Sequence, residues 1–214
     1  MTITKTTIEM TLVAAAALLV GVTVSAQEAR KAAPATPAAK AQEAAPPTMP
    51  MPKPGPEHEL LKKDVGTWDA TVEMMFPGAP PSTSKGVETN RMIGGLWLVT
   101  DFKSTMMGQP FQGHGTTGYD VNKKKYVGTW VDTMGTGLGL SESTYDAATR
   151  TLAGTFEGAD ETGRTVKSRA VTEYKDDDTR VFTMYTTAPD GKEVPGMTIT
   201  YKRRAAAPAA AAKK

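Results

Sequence analysis

The sequence predicts an all-β protein, an antiparallel up-and-down barrel of about ten strands opened by one short helix. Three observations carry this. Between residues 57 and 203 apolar and polar side chains alternate with period two in segment after segment. The segments are separated by short breaks of hairpin composition, "DVNK", "DAAT", "KDDD" and "PDGK" among them. Many segments run eight to eleven residues, longer than the usual strand of about five or six. Long antiparallel strands leave two costly edges unless the sheet closes on itself, and closure gives a barrel. A β-sandwich is the alternative that periodicity leaves open.

The elements follow in order. "EHELLKKD" (57–64) reads as a single helical opening. "TWDATVEMMF" then places Trp68, Ala70, Val72, Met74 and Phe76 on one face, with Asp69, Thr71 and Glu73 opposite. "KGVETNRMI", "LWLVTDFKSTM", "PFQGHGTTGY", "KYVGTWVDTM", "LGLSESTY", "RTLAGTFEG", "RTVKSRAVTEY", "RVFTMYTTA" and "GMTITYK" complete the set. Two segments repeat a pattern 26 residues apart: "YDVNKKKYVGTW" from Tyr119 and "YDAATRTLAGTF" from Tyr145. Each reads as one hairpin, with Tyr closing a strand, Asp starting the turn and Gly-Thr-aromatic in the returning strand. Solenoids and propellers need about three or more copies, so the repeat is read as architecture.

The ends of the chain differ from its middle. Residues 1–26 carry one lysine (Lys5), an apolar run from Thr11 to Val24, and Val24-Ser25-Ala26. That is a secretory signal with cleavage expected after Ala26, leaving a mature chain that begins at Gln27. Fourteen helical residues would reach only about 21 Å, short of a hydrocarbon core of about 30 Å, so the processed chain is not expected to span a membrane. Nor do the strands show the outward apolar band of a membrane barrel. Residues 27–56 and 204–214 are rich in Ala, Pro and Lys, with almost nothing to bury, and are expected to be disordered. The folding unit is therefore 57–203, in a periplasmic or extracellular setting.

Charge excludes one partner class. The chain is +2 overall, yet residues 57–201 hold 15 Lys and Arg against 20 Asp and Glu, a net of −5. A nucleic-acid binder concentrates positive charge on its folded surface, and this domain does the reverse. The basic excess sits in the ends, where the tail is suited to acidic envelope polymers. The absence of cysteine excludes thiol catalysis, thiolate metal sites and disulfides.

Two groups of residues carry a resemblance. "HELLKKDVGTWDATVEM", a short helix followed by Gly-x-Trp, is similar to the opening of calycins such as lipocalins and fatty-acid-binding proteins. That likeness implies that Gly66 and Trp68 close one end of the barrel. His58-Glu59-Leu60, Gly66-Thr67-Trp68, Gly94-Gly95-Leu96-Trp97, "TTGYD", "KKYVGTWVDTMGTG" and "SRAV" together resemble the exported bacterial family catalogued as domain of unknown function 1579. The resemblance implies a calycin-like barrel and export, and no reaction.

Chemistry is sparse. Of the two histidines, His58 lies in the helical opening, where capping or solvent is expected, and His114 lies in mid-strand. Haem held through His114 is the one cofactor the sequence raises; otherwise none is expected, and no metal. Met74-Met75 and Met106-Met107 cannot chelate as neighbours, because adjacent strand residues point to opposite faces. What remains is the interior. Trp97, Asp101, Trp130, Asp132, Glu142 and Arg169 are the candidates to line a cavity for a small, partly apolar molecule, with Asp132 or Glu142 as the general base if the barrel is an enzyme. A module with a filled core is the third possibility.

Overall fold

The computed structural model describes residues 50–75, 80–159, 163–188 and 190–205. The expected signal segment and linker up to residue 49, Phe76 and the tail from residue 206 lie outside the described residues. A single helix, α1 (His58–Lys63), precedes ten strands: β1 (Gly66–Met74), β2 (Ser82–Ile93), β3 (Trp97–Met106), β4 (Gln109–Asp120), β5 (Lys125–Asp132), β6 (Gly139–Asp146), β7 (Thr151–Ala159), β8 (Thr165–Tyr174), β9 (Thr179–Thr187) and β10 (Glu193–Arg203). Every strand pairs antiparallel with its sequence neighbour, and β1 also pairs with β10, so the sheet is a closed barrel. Closure removes the sandwich alternative.

Period-two alternation sets the inner face. In β1 Trp68, Ala70 and Val72 are buried and Asp69 and Glu73 are exposed, the division the sequence predicts. Inward residues of β1, β3, β4 and β10 build one wall of core: Trp68, Ala70, Val72, Phe102, Phe111, Ile199 and Tyr201. A second cluster of Leu60, Leu61, Leu98, Tyr126 and Tyr174 lies under α1. The helix has only six residues, too short to hold itself together. It is pinned by Leu60 and Leu61, 6% and 2% exposed, and by Tyr126, whose hydroxyl donates to the Glu57 carbonyl at 2.9 Å. Burial, with Glu57 next, pushes the Tyr126 phenol up to about 12. The expectation for His58 is corrected here. It is buried, its Nδ1 accepts from the Gly55 N–H at 2.9 Å, and its ring meets Tyr119 edge-on.

The repeated segments are two hairpins of one design. Asp120 accepts from the N–H groups of Asn122 and Lys123, and Asp146 accepts from that of Ala148. Each turn ends on a residue in the left-handed region, Lys124 and Arg150, both at φ 54°. Tyr119 and Tyr145 then sit beside the cluster under the helix, while Trp130 and Phe156 lie towards the opposite end.

Candidate ligand-binding site

Beneath β1 the helix end of the barrel is closed by a floor of packed side chains. Gly66, at φ +122°, adopts a conformation that disfavours side chains, and a Cβ there would lie 3.2 Å from Arg203 Nη1. This lets Arg203 fold across Trp68, its guanidinium carbon 4.1 Å from the ring centroid. Trp68 is 2% exposed and donates its indole N–H to the Asp64 carbonyl at 2.9 Å. Above it lies a buried polar group. Arg180 forms ion pairs with Glu88 and, at 3.4 Å, with Asp64, and its guanidinium also packs on the rings of Tyr201 and Trp68. Asn90 donates to Glu88 at 2.5 Å and to the Asp64 carbonyl at 3.0 Å, and Tyr174 donates to Asp64 Oδ2 at 3.0 Å. Asp64 Oδ1 and Arg180 Nε face each other as a charge pair without a shared hydrogen bond.

These groups shift one another. Burial raises the Asp64 carboxyl, and Arg180 only partly offsets it. Burial works against the Arg180 charge, but the carboxylates of Asp64 and Glu88 outweigh it and hold the guanidinium protonated. Burial first, then the adjacent carboxylates, pushes the Tyr174 and Tyr201 phenols well above their ordinary value.

Beyond the floor the two sides of the interior differ. One register row runs Ser143, Gly154, Ala170, Met184, Met197, Met74 across β6, β7, β8, β9, β10 and β1. The row climbs with the strand tilt: Ser143 pairs with Tyr126 of the cluster under the helix, whereas Met74 ends β1 at the opposite end. Ser141, Ser168 and Thr172 also point inward on the small-residue side, beside Phe156 and Phe182. Ser141, Ser143, Ser168 and Thr172 have no side-chain hydrogen bond among the described residues, and none is cut off from solvent. Val72 and Ile199 are 1% and 7% exposed, whereas Met74, Trp130, Ser141, Ser143, Phe156, Thr172, Phe182, Met184 and Met197 are half-buried. A mid-strand side chain that points inward is walled by backbone, so the solvent it meets is inside the barrel. The barrel is tightly filled beside α1 and β1 and less tightly filled towards its other end.

Of the six candidate lining residues, Trp130 faces this interior and Asp132 stands at its rim, where it also borders the outer wall. Trp130 points inward, its ring lying where a Cβ on Gly113 would come within 2.1 Å of Cζ2. It donates to Asp132 Oδ2 at 2.9 Å, and Asp132 stands near the mouth. The expectation for the other four is corrected, because they lie on the outer face. Trp97 covers Gly118 and is 43% exposed. Asp101 pairs with His114 at 2.8 Å. Glu142 pairs with Lys123 and with Lys125, and these hydrogen bonds, Lys123's first, hold its carboxyl below the usual range. Arg169 pairs with Glu193 at 2.7 Å and stacks on Tyr185. Haem through His114 would need that ring inside the barrel, and it is outside. Sequence reasoning missed Asp64, Glu88, Asn90 and Arg180. Arg180 was readable, since it shares the face of Phe182 and Met184.

Two depressions open elsewhere, the first at the helix end and the second on the barrel wall. One, of ≈ 410 Å³, lies beside α1 against Tyr119, Tyr126 and Tyr145. The other, of ≈ 250 Å³, lies at Asp101, His114 and Asp132. Both are open to solvent and carry charged side chains, Glu57, Glu59, Lys63 and Lys124 at the first and Asp101, Lys103 and Asp132 at the second.

A family model described as protein of unknown function (DUF1579) matches residues 53–203. No curated protein matches the chain. Among solved structures, Rv2717c from M. tuberculosis superposes with a TM-score of 0.53 at 13% identity, covering 70% of this chain and 98% of that one. The S-type phycobiliprotein lyase CPES from Guillardia theta gives 0.49 at 9% identity, covering 71% and 94%. At such identities the likeness is one of fold.

Proposed function

The chain belongs to the DUF1579 family, and on that footing we propose that it binds a small, partly apolar molecule inside the barrel, at the end away from the helix. The observation that carries this reading is the half-exposure of inward side chains above a packed floor. Space walled by Met74, Met184, Met197, Phe182 and Trp130 favours apolar surface over water, and thioethers adapt to irregular shapes. Ten strands leave more interior room than the roughly eight that side chains just fill. Exposed Met107, Met134 and Leu138, on turns at the open end, give an apolar molecule a compatible approach. The reading includes export, with cleavage after Ala26, and no catalytic step.

The test is an equilibrium titration with the neutral fluorophore N-phenyl-1-naphthylamine. The expected result is a saturable rise in emission at one probe per chain, lost in Ser168→Trp, which fills the interior near its mouth. No saturable binding to the folded wild-type chain would instead favour a filled-core module that acts through its surface.

A further inference from the structure

We infer that the barrel's ligand is an uncharged molecule with a hydroxyl or carbonyl edge, and not a fatty acid or other anion; this rests on the binding reading above. A buried carboxylate needs a cation or several donors to replace its water. Among the described residues, the two cations that point inward from the strands are already committed. Arg180 is held between Glu88 and Asp64. Arg203 is turned to the floor, bonded to Asp178 and to the carbonyls of Val65 and Lys63. The floor group brings two carboxyls to one guanidinium, and Asp132 adds a third carboxyl near the mouth. The field in the interior therefore opposes negative charge.

The groups that are free are neutral. Ser141, Ser143, Ser168 and Thr172 offer hydroxyls that both donate and accept, on the inner face of β6 and β8. An amphipathic but uncharged molecule satisfies both sets of side chains at once, with its apolar side on Met184 and Met197 and its oxygen on a hydroxyl of the neighbouring β8 or of β6. A hydrocarbon would leave those hydroxyls without partners, and a carboxylate would find only neutral donors, with no free cation and with other carboxyls nearby.

The wild-type chain tests this with three ten-carbon competitors at neutral pH: decan-1-ol, decylamine as its ammonium ion, and decanoate. Each displaces bound N-phenyl-1-naphthylamine. The expected order of affinity is alcohol, then ammonium, then carboxylate, with alcohol and carboxylate at least roughly tenfold apart. Any apolar cavity would prefer the alcohol to both ions, so the order of the two ions reads the sign of the internal field. Decanoate binding as tightly as either competitor would overturn the inference and leave the binding reading intact. Failure of the probe itself to bind would overturn the binding reading first.

Discussion

Arg180→Met removes the one positive charge from the buried floor group and keeps comparable volume. Arg180 is 8% exposed, Glu88 5% and Asp64 6%, so the two carboxyls cannot recover water when their partner goes. Breaking a buried pair from one side costs about 3–5 kcal/mol. Against a domain stability of about 5–15 kcal/mol that is a large share. With a urea dependence of about 2 kcal/mol per molar, the midpoint should fall by about 1.5–2.5 M. The pH dependence separates charge from packing. Burial already raises Asp64 above its ordinary 3.8, so its favourable contribution is present at low pH and is lost as pH rises through the raised value. Without Arg180 the raise is larger, and the variant's deficit should widen between about pH 5 and about pH 8. Urea unfolding followed by circular dichroism at both pH values measures it. A loss under about 1 kcal/mol, or one identical at the two pH values, would refute the electrostatic account and leave Arg180 as packing.

Three further outcomes follow from named contacts. Gly113→Ala places a methyl 2.1 Å from the inward Trp130 ring and should cost about 1–3 kcal/mol. Gly118→Ala meets Trp97, which can swing into solvent, and should cost under about 1 kcal/mol; thermal melts of the pair decide, and equal losses would contradict the inner and outer assignments. Glu142→Gln, on the outer face with Lys123 and Lys125, should leave the melting temperature and the probe affinity unchanged in the same titration. Secreted protein should have the intact mass of residues 27–214, and retention of residues 1–26 would contradict cleavage after Ala26.

The parts of the fold legible in the sequence are those where one face is apolar. Trp68, Ala70, Val72 and Met74 alternate cleanly with Asp69, Thr71 and Glu73 because β1 stands against filled core. The hairpins were legible because Asp120 and Asp146 sit where a turn needs a side-chain acceptor. The site was less so. In "LSESTY" both faces are polar, Ser141 and Ser143 inward and Glu142 outward, and alternation cannot tell them apart. "KSRAV" hides Arg169 in the same way between inward Ser168 and Ala170. A wall packed less tightly than that of β1 tolerates hydroxyls and glycine, so the pattern that reveals a core is missing along it. The methionines show a further limit. Neighbours in sequence point apart, whereas Met74, Met184 and Met197, far apart in sequence, become one row only through strand register.

The most direct test is a native mass spectrum of the mature chain, purified from the extracytoplasmic fraction of its own host. A reproducible extra mass of one small, neutral molecule per chain, released on denaturation, is the predicted result. A bare chain in every preparation that also takes up no N-phenyl-1-naphthylamine would contradict the barrel interior as a binding site.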